Sequence, residues 1–310
     1  MGVVVFGSIN LDLAIKVAHR PQPGETVLGR DFTSTPGGKG ANQALAARRM
    51  GASVTLLGAV GADSFAEPAL SLLQQAGVHL EQVAHLKESS TGLAFIHIDE
   101  QGENSITVVS GANFHVGVAA LKTLEQILTK KDILVMQLEI PLEIVLQAIE
   151  IAHQKGAAIL VDPAPGQSSI PAQLLQVDII TPNRGEAEMI LNTRIDTREQ
   201  ATAAARQLHQ MGARIAVVKL GSAGVVWTTA EASSFQAAHK VRTLDSTGAG
   251  DAFAGALAAL IDAERQQGKE IQQINLAQAM RQASIFAALS TTRPGAQQSF
   301  PHRSDIEQLK

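Results

Sequence analysis

Asp245-Ser246-Thr247-Gly248-Ala249-Gly250-Asp251-Ala252-Phe253 is the stretch on which the reading of this chain turns. Gly248, Ala249 and Gly250 open a helix with almost bare backbone. A helix start offers unpaired N–H groups at the positive end of its dipole, so it attracts anions. Asp251, a carboxylate at that point, would be repelled by a bound phosphate unless it had a task, and the task that fits is taking the proton from an incoming alcohol. Small residues continue from Ala252 to Ala259 around Phe253 and Leu257, which suits a helix pressed closely against a sheet. A glycine-rich loop capped by Asp251 is the plainer alternative.

Outward from that helix, short apolar runs recur: Val3–Phe6, Val54–Leu57, Ile133–Met136, Ala158–Val161, Val177–Ile180, Ile215–Val218 and Val225–Trp227. Between them lie helical patterns with glycine stops, Ala41–Met50 before Gly51, Leu142–Lys155 before Gly156, and Thr197–Met211 before Gly212. Continuous apolar strands alternating with helices predict an α/β fold, a central mostly parallel sheet flanked by helices on both faces. Two segments break the rhythm. Residues 11–34 and 91–109 read as antiparallel hairpins, the second with its turn at Asp99–Asn104. The simplest assembly makes them one small β-sheet, a lid over a cleft or a surface for a second subunit; two unrelated hairpins are the alternative. Residues 1–10, 35–90 and 110–310 then form the main α/β domain.

Composition narrows the function. The 310 residues are 45% hydrophobic and 17% charged, an ordinary globular balance. Net charge is −4 and no basic block exceeds two residues, so nucleic acid is not an expected partner. No cysteine is present, which excludes disulfides and thiolate metal sites, and the nine histidines lack ligand spacing. The start lacks the features of a signal peptide, and no apolar run approaches the ~20 residues of a membrane span, so a cytoplasmic protein is expected.

Ligands of open parallel sheets bind beyond the carboxyl ends of the strands. Just past those ends come Asn10 and Asp12, Glu139, Asn183 and Glu186, and Lys219, Gly221, Ser222 and Gly224. Any one of them can be an ordinary helix cap, Asn183 for the helix holding Glu186 in particular; their joint placement points to one edge. A second glycine-rich stretch, Gly37-Gly38-Lys39-Gly40-Ala41-Asn42, opens another helix but lacks the Gly-Lys-Ser/Thr ending of a P-loop. It offers backbone donors, an amide and a cation beside Asn10 and Asp12, a chemistry suited to sugar hydroxyls, which both donate and accept.

Together these stretches resemble the ribokinase branch of the PfkB-type carbohydrate kinases over essentially the whole chain. The resemblance is carried by Gly7-Ser8-Ile9-Asn10-Leu11-Asp12, Pro23-Gly24-Glu25-Thr26, Gly37 to Ala44, Met136-Gln137-Leu138-Glu139, Thr181 to Glu188, Leu220 to Gly224, Asp245 to Asp251 and Arg293-Pro294-Gly295-Ala296-Gln297-Gln298-Ser299. It implies a ribokinase-like fold and ATP-dependent transfer to the 5-hydroxyl of D-ribose, with Asp251 as general base and Gly248, Ala249 and Gly250 as the anion hole. By the same resemblance Asn10, Asp12, Gly38, Lys39, Gly40, Ala41, Asn42 and Glu139 hold the sugar. Asn183, Lys219, Leu220, Gly221, Ser222, Ala223, Gly224, Gly250 and Ser284 serve the nucleotide. Glu186 organises Mg²⁺, through water. An activating K⁺ is implied at Asp245, Thr247, Ser290, Arg293, Gly295 and Ser299, and a homodimer through the lid. Pro294 stands where the family often has lysine, and Glu264–Ile274 is longer than usual, which loosens the placement of Ser284. A sibling kinase for 2-deoxyribose, fructose or a nucleoside is the nearest alternative. Asn10 favours ribose, and nine phenylalanines, one tryptophan and no tyrosine argue against a base-stacking pocket. A non-catalytic sugar or nucleotide sensor would have no need of Asp251. A dinucleotide-binding dehydrogenase fails for want of Gly-x-Gly-x-x-Gly after the first strand.

Overall fold

The structure is a computed structural model that describes residues 2–309. Its strands are β1 (Val3–Phe6), β2 (Asn10–Val17), β3 (Gly29–Gly37), β4 (Val54–Gly61), β5 (Val83–Leu86), β6 (Gly92–Ile98), β7 (Asn104–Val109), β8 (Ile133–Met136), β9 (Ala158–Val161), β10 (Ile179–Ile180), β11 (Ile215–Lys219), β12 (Val225–Thr228) and β13 (Ser233–Gln236). Its helices are α1 (Lys39–Arg49), α2 (Ala66–Ala76), α3 (Val118–Ile127), α4 (Leu142–Lys155), α5 (Arg184–Leu191), α6 (Arg198–Gln210), α7 (Ala249–Arg265), α8 (Leu276–Ser290) and α9 (Arg303–Glu307). Among the described residues no helix is long and apolar enough to cross a membrane.

Nine strands make one sheet in the order β13-β12-β11-β10-β9-β8-β1-β4-β5, parallel from β11 through β5, with β12 and β13 antiparallel at one edge. The apolar runs become strands because both faces are covered, so consecutive side chains alternate between two cores. Val3, Val5, Ile133, Val135 and Leu160 pack on the side of α1, α2, α7 and α8. Val4, Phe6, Leu134, Met136 and Ile159 pack on the side of α3, α4 and α6. The expected strand at Val177–Ile180 shortens to two residues. Asp178 intervenes, and its carboxylate accepts the Ile159 N–H at 2.9 Å in place of a ladder carbonyl.

The chain leaves β1 toward β4 on one side and returns to β8 on the other, so the topological switch point lies between β1 and β8. At that point the second sheet begins. Its order is β3-β2-β6-β7: the two hairpins β2–β3 and β6–β7 are antiparallel, and β2 joins β6 in parallel. The sheet starts at Asn10, which pairs with both Gly37 and Gly92, so its root is the end of β1 itself.

The small residues of α7 were expected against a sheet; α7 does pack on β1 and β8, but its closest approach is to another helix, α1. A β-carbon on Gly255 would lie 2.3 Å from the Gln43 carbonyl oxygen and 2.7 Å from Ala46 Cβ of α1. The missing side chain lets the two helix backbones touch. In an exposed helix interior, glycine-to-alanine gains about 1 kcal/mol. Here the sign reverses: Gly255→Ala should destabilise the fold by about 1–3 kcal/mol, the usual cost of overpacking, read as a lower urea midpoint. An alanine variant as stable as the parent would refute the close contact.

Candidate active site

Asp251 occupies the first turn of α7 and is 5% exposed. It does not cap its own helix. Its Oδ2 accepts the Asn42 side-chain amide at 2.9 Å and its Oδ1 accepts that of Gln43 at 3.2 Å, both from the start of α1. Burial is the largest influence on its pKa and drives it up; Lys39 and the Asn42 amide oppose, while Asp162 and Glu139 add to the rise. Gly248, at φ 74°, turns the chain into the helix. The Ala249 N–H is taken by the Ser246 carbonyl at 3.2 Å, so of the three expected anion-binding donors those of Gly248 and Gly250 have no acceptor among the described residues, and the Asp251 N–H, which was not expected as a donor, has none either.

The other glycine-rich helix start differs. At α1 the Lys39 N–H goes to Glu139 Oε2 at 3.1 Å, the Gly40 N–H to the Ser8 hydroxyl at 3.3 Å, and the Ala41 N–H to the Ser8 carbonyl at 2.9 Å. Ser8 in turn donates to Glu139 Oε2 at 2.5 Å. The backbone donors of Lys39, Gly40 and Ala41 are thus spent inside the protein, and Gly40 and Ala41 are buried. Gly40 is required by contact: its β-carbon would lie 2.6 Å from the Gly7–Ser8 backbone. Side chains remain for a sugar: Asn10, Asp12, Lys39, Asn42 and Glu139, with Gly38 (φ 86°) bringing the turn against Ile9 and Asn10. A β-carbon on Gly37 would come within 2.4 Å of both Asp12 oxygens, so glycine there makes room for the carboxylate. Burial first, then Glu139 and Asp251, push the Asp12 pKa up to about 6. Lys39 is held charged most of all by Asp251, against burial.

On the far side of Asp251 lies a cleft of about 960 Å³. Lys39, Asp162, Asn183, Glu186, Lys219 and Gly248 to Asp251 are among its lining residues, as are Gly221, Ser222, Gly224, Val225, His239, Val241, Phe253, Ser284, Ala287 and Ala288. Leu220 is turned into the core of the α3–α4–α6 side, and Ala223 lies outside the lining. Asn183 does cap α5. Its side chain accepts the Glu186 N–H at 2.9 Å, while the Glu186 carboxylate accepts the Asn183 backbone and side-chain N–H, each at 2.7 Å. Burial is the main cause of a raised Glu186 pKa, with Lys219 opposing. Among the described residues no group of three or more His, Asp or Glu is arranged to hold a metal.

The residues implied for K⁺ lie on the loop before α7, at the last residue of α8 and on the segment after it, and Asp245 ties the two stretches together. Asp245 Oδ1 accepts the Thr247 hydroxyl at 2.6 Å and its Oδ2 accepts the Gly295 N–H at 2.8 Å. Burial pushes the Asp245 pKa up, but these bonds and the Thr247 N–H outweigh it and the net direction is down. Ser290 and Ser299 donate their hydroxyls to the Ala287 and Ala296 carbonyls, and Arg293 is exposed.

Sequence reading missed the residues that tie the site together. Asp162 follows β9 as the others follow their strands, and that rule would have found it. It accepts Lys219 Nζ at 2.7 Å, the Thr181 hydroxyl at 3.1 Å and the Gln43 amide at 3.1 Å. Gln137 donates to Gln43 at 2.6 Å, and Gln297 donates to Asn42 at 3.0 Å; both were seen only as parts of motifs.

Residues 2–303 match the pfkB family of carbohydrate kinases. A ribokinase of Schizosaccharomyces pombe is 37% identical over 317 residues, covering 99% of this chain and 97% of that protein. A deoxyribokinase of Salmonella typhi is 33% identical over 310 residues, covering 100% and 97%. The solved structure of Arabidopsis thaliana ribokinase complexed with ribose and ATP is similar with a TM-score of 0.88 at 29% identity, covering 99% of this chain and 97% of that one. With a match of that extent behind the glycine-rich helix start and its buried carboxylate, this chain belongs to the pfkB family of carbohydrate kinases and is a phosphotransferase.

Proposed function

We propose that the chain transfers the γ-phosphoryl group of ATP to the 5-hydroxyl of D-ribose. The observation that carries this reading is the position of Asp251, between the polar cluster at the end of β1 and the cleft that starts at Gly250. The Arabidopsis relative bound to ribose and ATP supports the same pair of substrates. Asp251 takes the proton of the sugar hydroxyl as the oxygen attacks phosphorus and ADP leaves. Each Asp251 oxygen accepts one amide bond, which fixes the carboxylate and leaves a lone pair for the alcohol. A raised pKa suits a base working near neutrality. The free N–H groups of Gly250 and Asp251 meet charge on the transferring group, and Lys39 and Lys219 add to it.

Five carboxylates (Asp12, Glu139, Asp162, Glu186 and Asp251) face two lysines here, a poor host for a polyphosphate without added cations. Mg²⁺ bound with the nucleotide would neutralise its phosphates; Glu186, both oxygens already accepting, would hold it through water, with Asp162 alongside. The one-carboxylate, otherwise neutral oxygen set around Asp245 fits a monovalent cation. The four-stranded sheet would act as the lid. By register its Asp12 face also carries Ala14, Ile96, Ile106 and Val108, the last two exposed, and that face would meet a second copy of the chain. The 2-deoxyribose reading rests on the Salmonella typhi relative; Asn10 favours ribose.

Asp251→Asn should keep sugar and nucleotide binding while turnover falls at least 10²-fold, the lower range for losing a positioned base. Turnover within tenfold of the parent would remove Asp251 from its role. ADP release measured with ribose, 2-deoxyribose, fructose and adenosine, each with and without K⁺, should be fastest with ribose plus K⁺; preference for another acceptor would replace ribose as substrate. Asp12 and Asp251 both bind protons more tightly than ordinary aspartates, so ionised sugar-binding and base forms accumulate as pH rises. The acid limb of kcat/KM for the sugar should therefore have its midpoint near 6, the Asp12 value, and not near the ordinary value of about 3.9. A midpoint at or below 4.5 would contradict it.

A further inference from the structure

The side chain of Asn113 lies at the exit of the four-stranded sheet, in the turn Gly111–His115 that follows β7, and is 2% exposed. Its bonds leave no freedom in how its amide is oriented. The Ile9 N–H, which can only donate, meets Asn113 Oδ1 at 2.8 Å. The Ile9 carbonyl, which can only accept, meets Asn113 Nδ2 at 3.0 Å. The backbone of one residue thus reads the amide twice and gives the same answer. The second proton of Asn113 Nδ2 has a single recipient, Asn10 Oδ1, at 2.7 Å. Since an N–H faces it, the Asn10 atom there must be oxygen, and the Asn10 NH₂ group is turned the other way. Among the described residues that NH₂ donates to no protein acceptor.

We propose that Asn113 is a positioning residue that sets the polarity of the sugar pocket: through it, Asn10 presents donors only, and so selects for a sugar hydroxyl that accepts at that point while its own proton goes to the Asp12 carboxylate, two residues on along the same strand. The inference rests on the reading of Asn10 as a sugar contact. A buried donor facing a sugar that lacks the hydroxyl is left unpaired, and unpaired groups are what make polar pockets discriminate. The backbone is built around this pair. A β-carbon on Gly92 would lie 2.2 Å from Asn10 Oδ1 and 2.3 Å from Asn113 Nδ2, so any side chain at that position would split it. Gly92 opens β6 and pairs with Asn10 across the sheet, and Asn113 follows β7, so the clasp is closed by the two ends of the second hairpin. Asn113 is not among the residues that line the cleft described above; its bonds go to the Ile9 backbone and to Asn10, and it reaches the pocket through Asn10.

Asn113→Asp tests it. The aspartate keeps the shape and the acceptor for the Ile9 N–H but can no longer donate to Asn10, so the Asn10 amide gains by rotating its NH₂ toward residue 113 and its oxygen toward the sugar. The ratio of kcat/KM for D-ribose to that for 2-deoxy-D-ribose should fall tenfold or more, carried by a higher KM for ribose. A purely structural residue would lower both sugars alike. A ratio within twofold of the parent overturns the proposal. Where Asn113→Asp melts too low to assay, the parent protein gives the answer: its Asn10 side-chain amide NMR signal, assigned by its loss in Asn10→Asp, should shift on adding ribose and not on adding 2-deoxyribose. Equal shifts with both sugars overturn the proposal. Failure of the parent to phosphorylate ribose at all would instead sink the underlying substrate reading, so the two failures are separable.

Discussion

Contact between the backbones of α1 and α7 at Gly255 is the constraint from which the site follows. Because a hydrogen replaces a side chain there, Asn42 and Gln43 on α1 reach Asp251 on α7, and a carboxylate that burial would otherwise drive toward its neutral form is held by two amides. Gln43 then extends the tie to Asp162, and Asp162 to Lys219 and Thr181. A residue of β11, one of β10's end and two helix starts are locked together by a chain of polar bonds laid over an apolar core. Partly satisfied networks of this kind are costly, and most members of this one have their partners; Gln137 Oε1 and Gln297 Oε1 are the exceptions.

The two glycine-rich helix starts illustrate how one sequence pattern serves two ends. At α7 the first turn keeps two N–H groups free, while at α1 Ser8 and Glu139 fill the same positions. Charge follows the same division. Glu139 is placed against the positive end of α1, where a carboxylate is stabilised, and Lys39 leans toward the acids of the cleft. The donors that remain open are those next to the cleft beside Asp251.

Much of this was legible in the sequence where burial writes a pattern. The parallel strands are covered on both sides, so Ile133–Met136 or Ala158–Val161 stand out as unbroken apolar runs. Edge strands do not: Val83-Ala84-His85-Leu86 and Ser233-Ser234-Phe235-Gln236 are part exposed and carry no alternation strong enough to notice. Residues at strand ends were found by a rule of topology. Their partners were not, because an amide pair such as Gln297 with Asn42 joins positions 255 apart and nothing local marks either one. For the same reason the saturation of the α1 start was invisible: its cap arrives from Glu139, a hundred residues away.

One face of the four-stranded sheet joins a polar end to an apolar one. Asp12, Ala94 and Val108 stand in one row across three strands, and Ala14, Ile96 and Ile106 in the next, so the wall of the pocket proposed for the sugar grades without a break into exposed aliphatic surface. Any molecule that settles on Ile106 and Val108 therefore borders the pocket as well. Thermodynamic reciprocity then applies: whatever factor such coverage adds to the sugar's affinity, the sugar must return to the coverage.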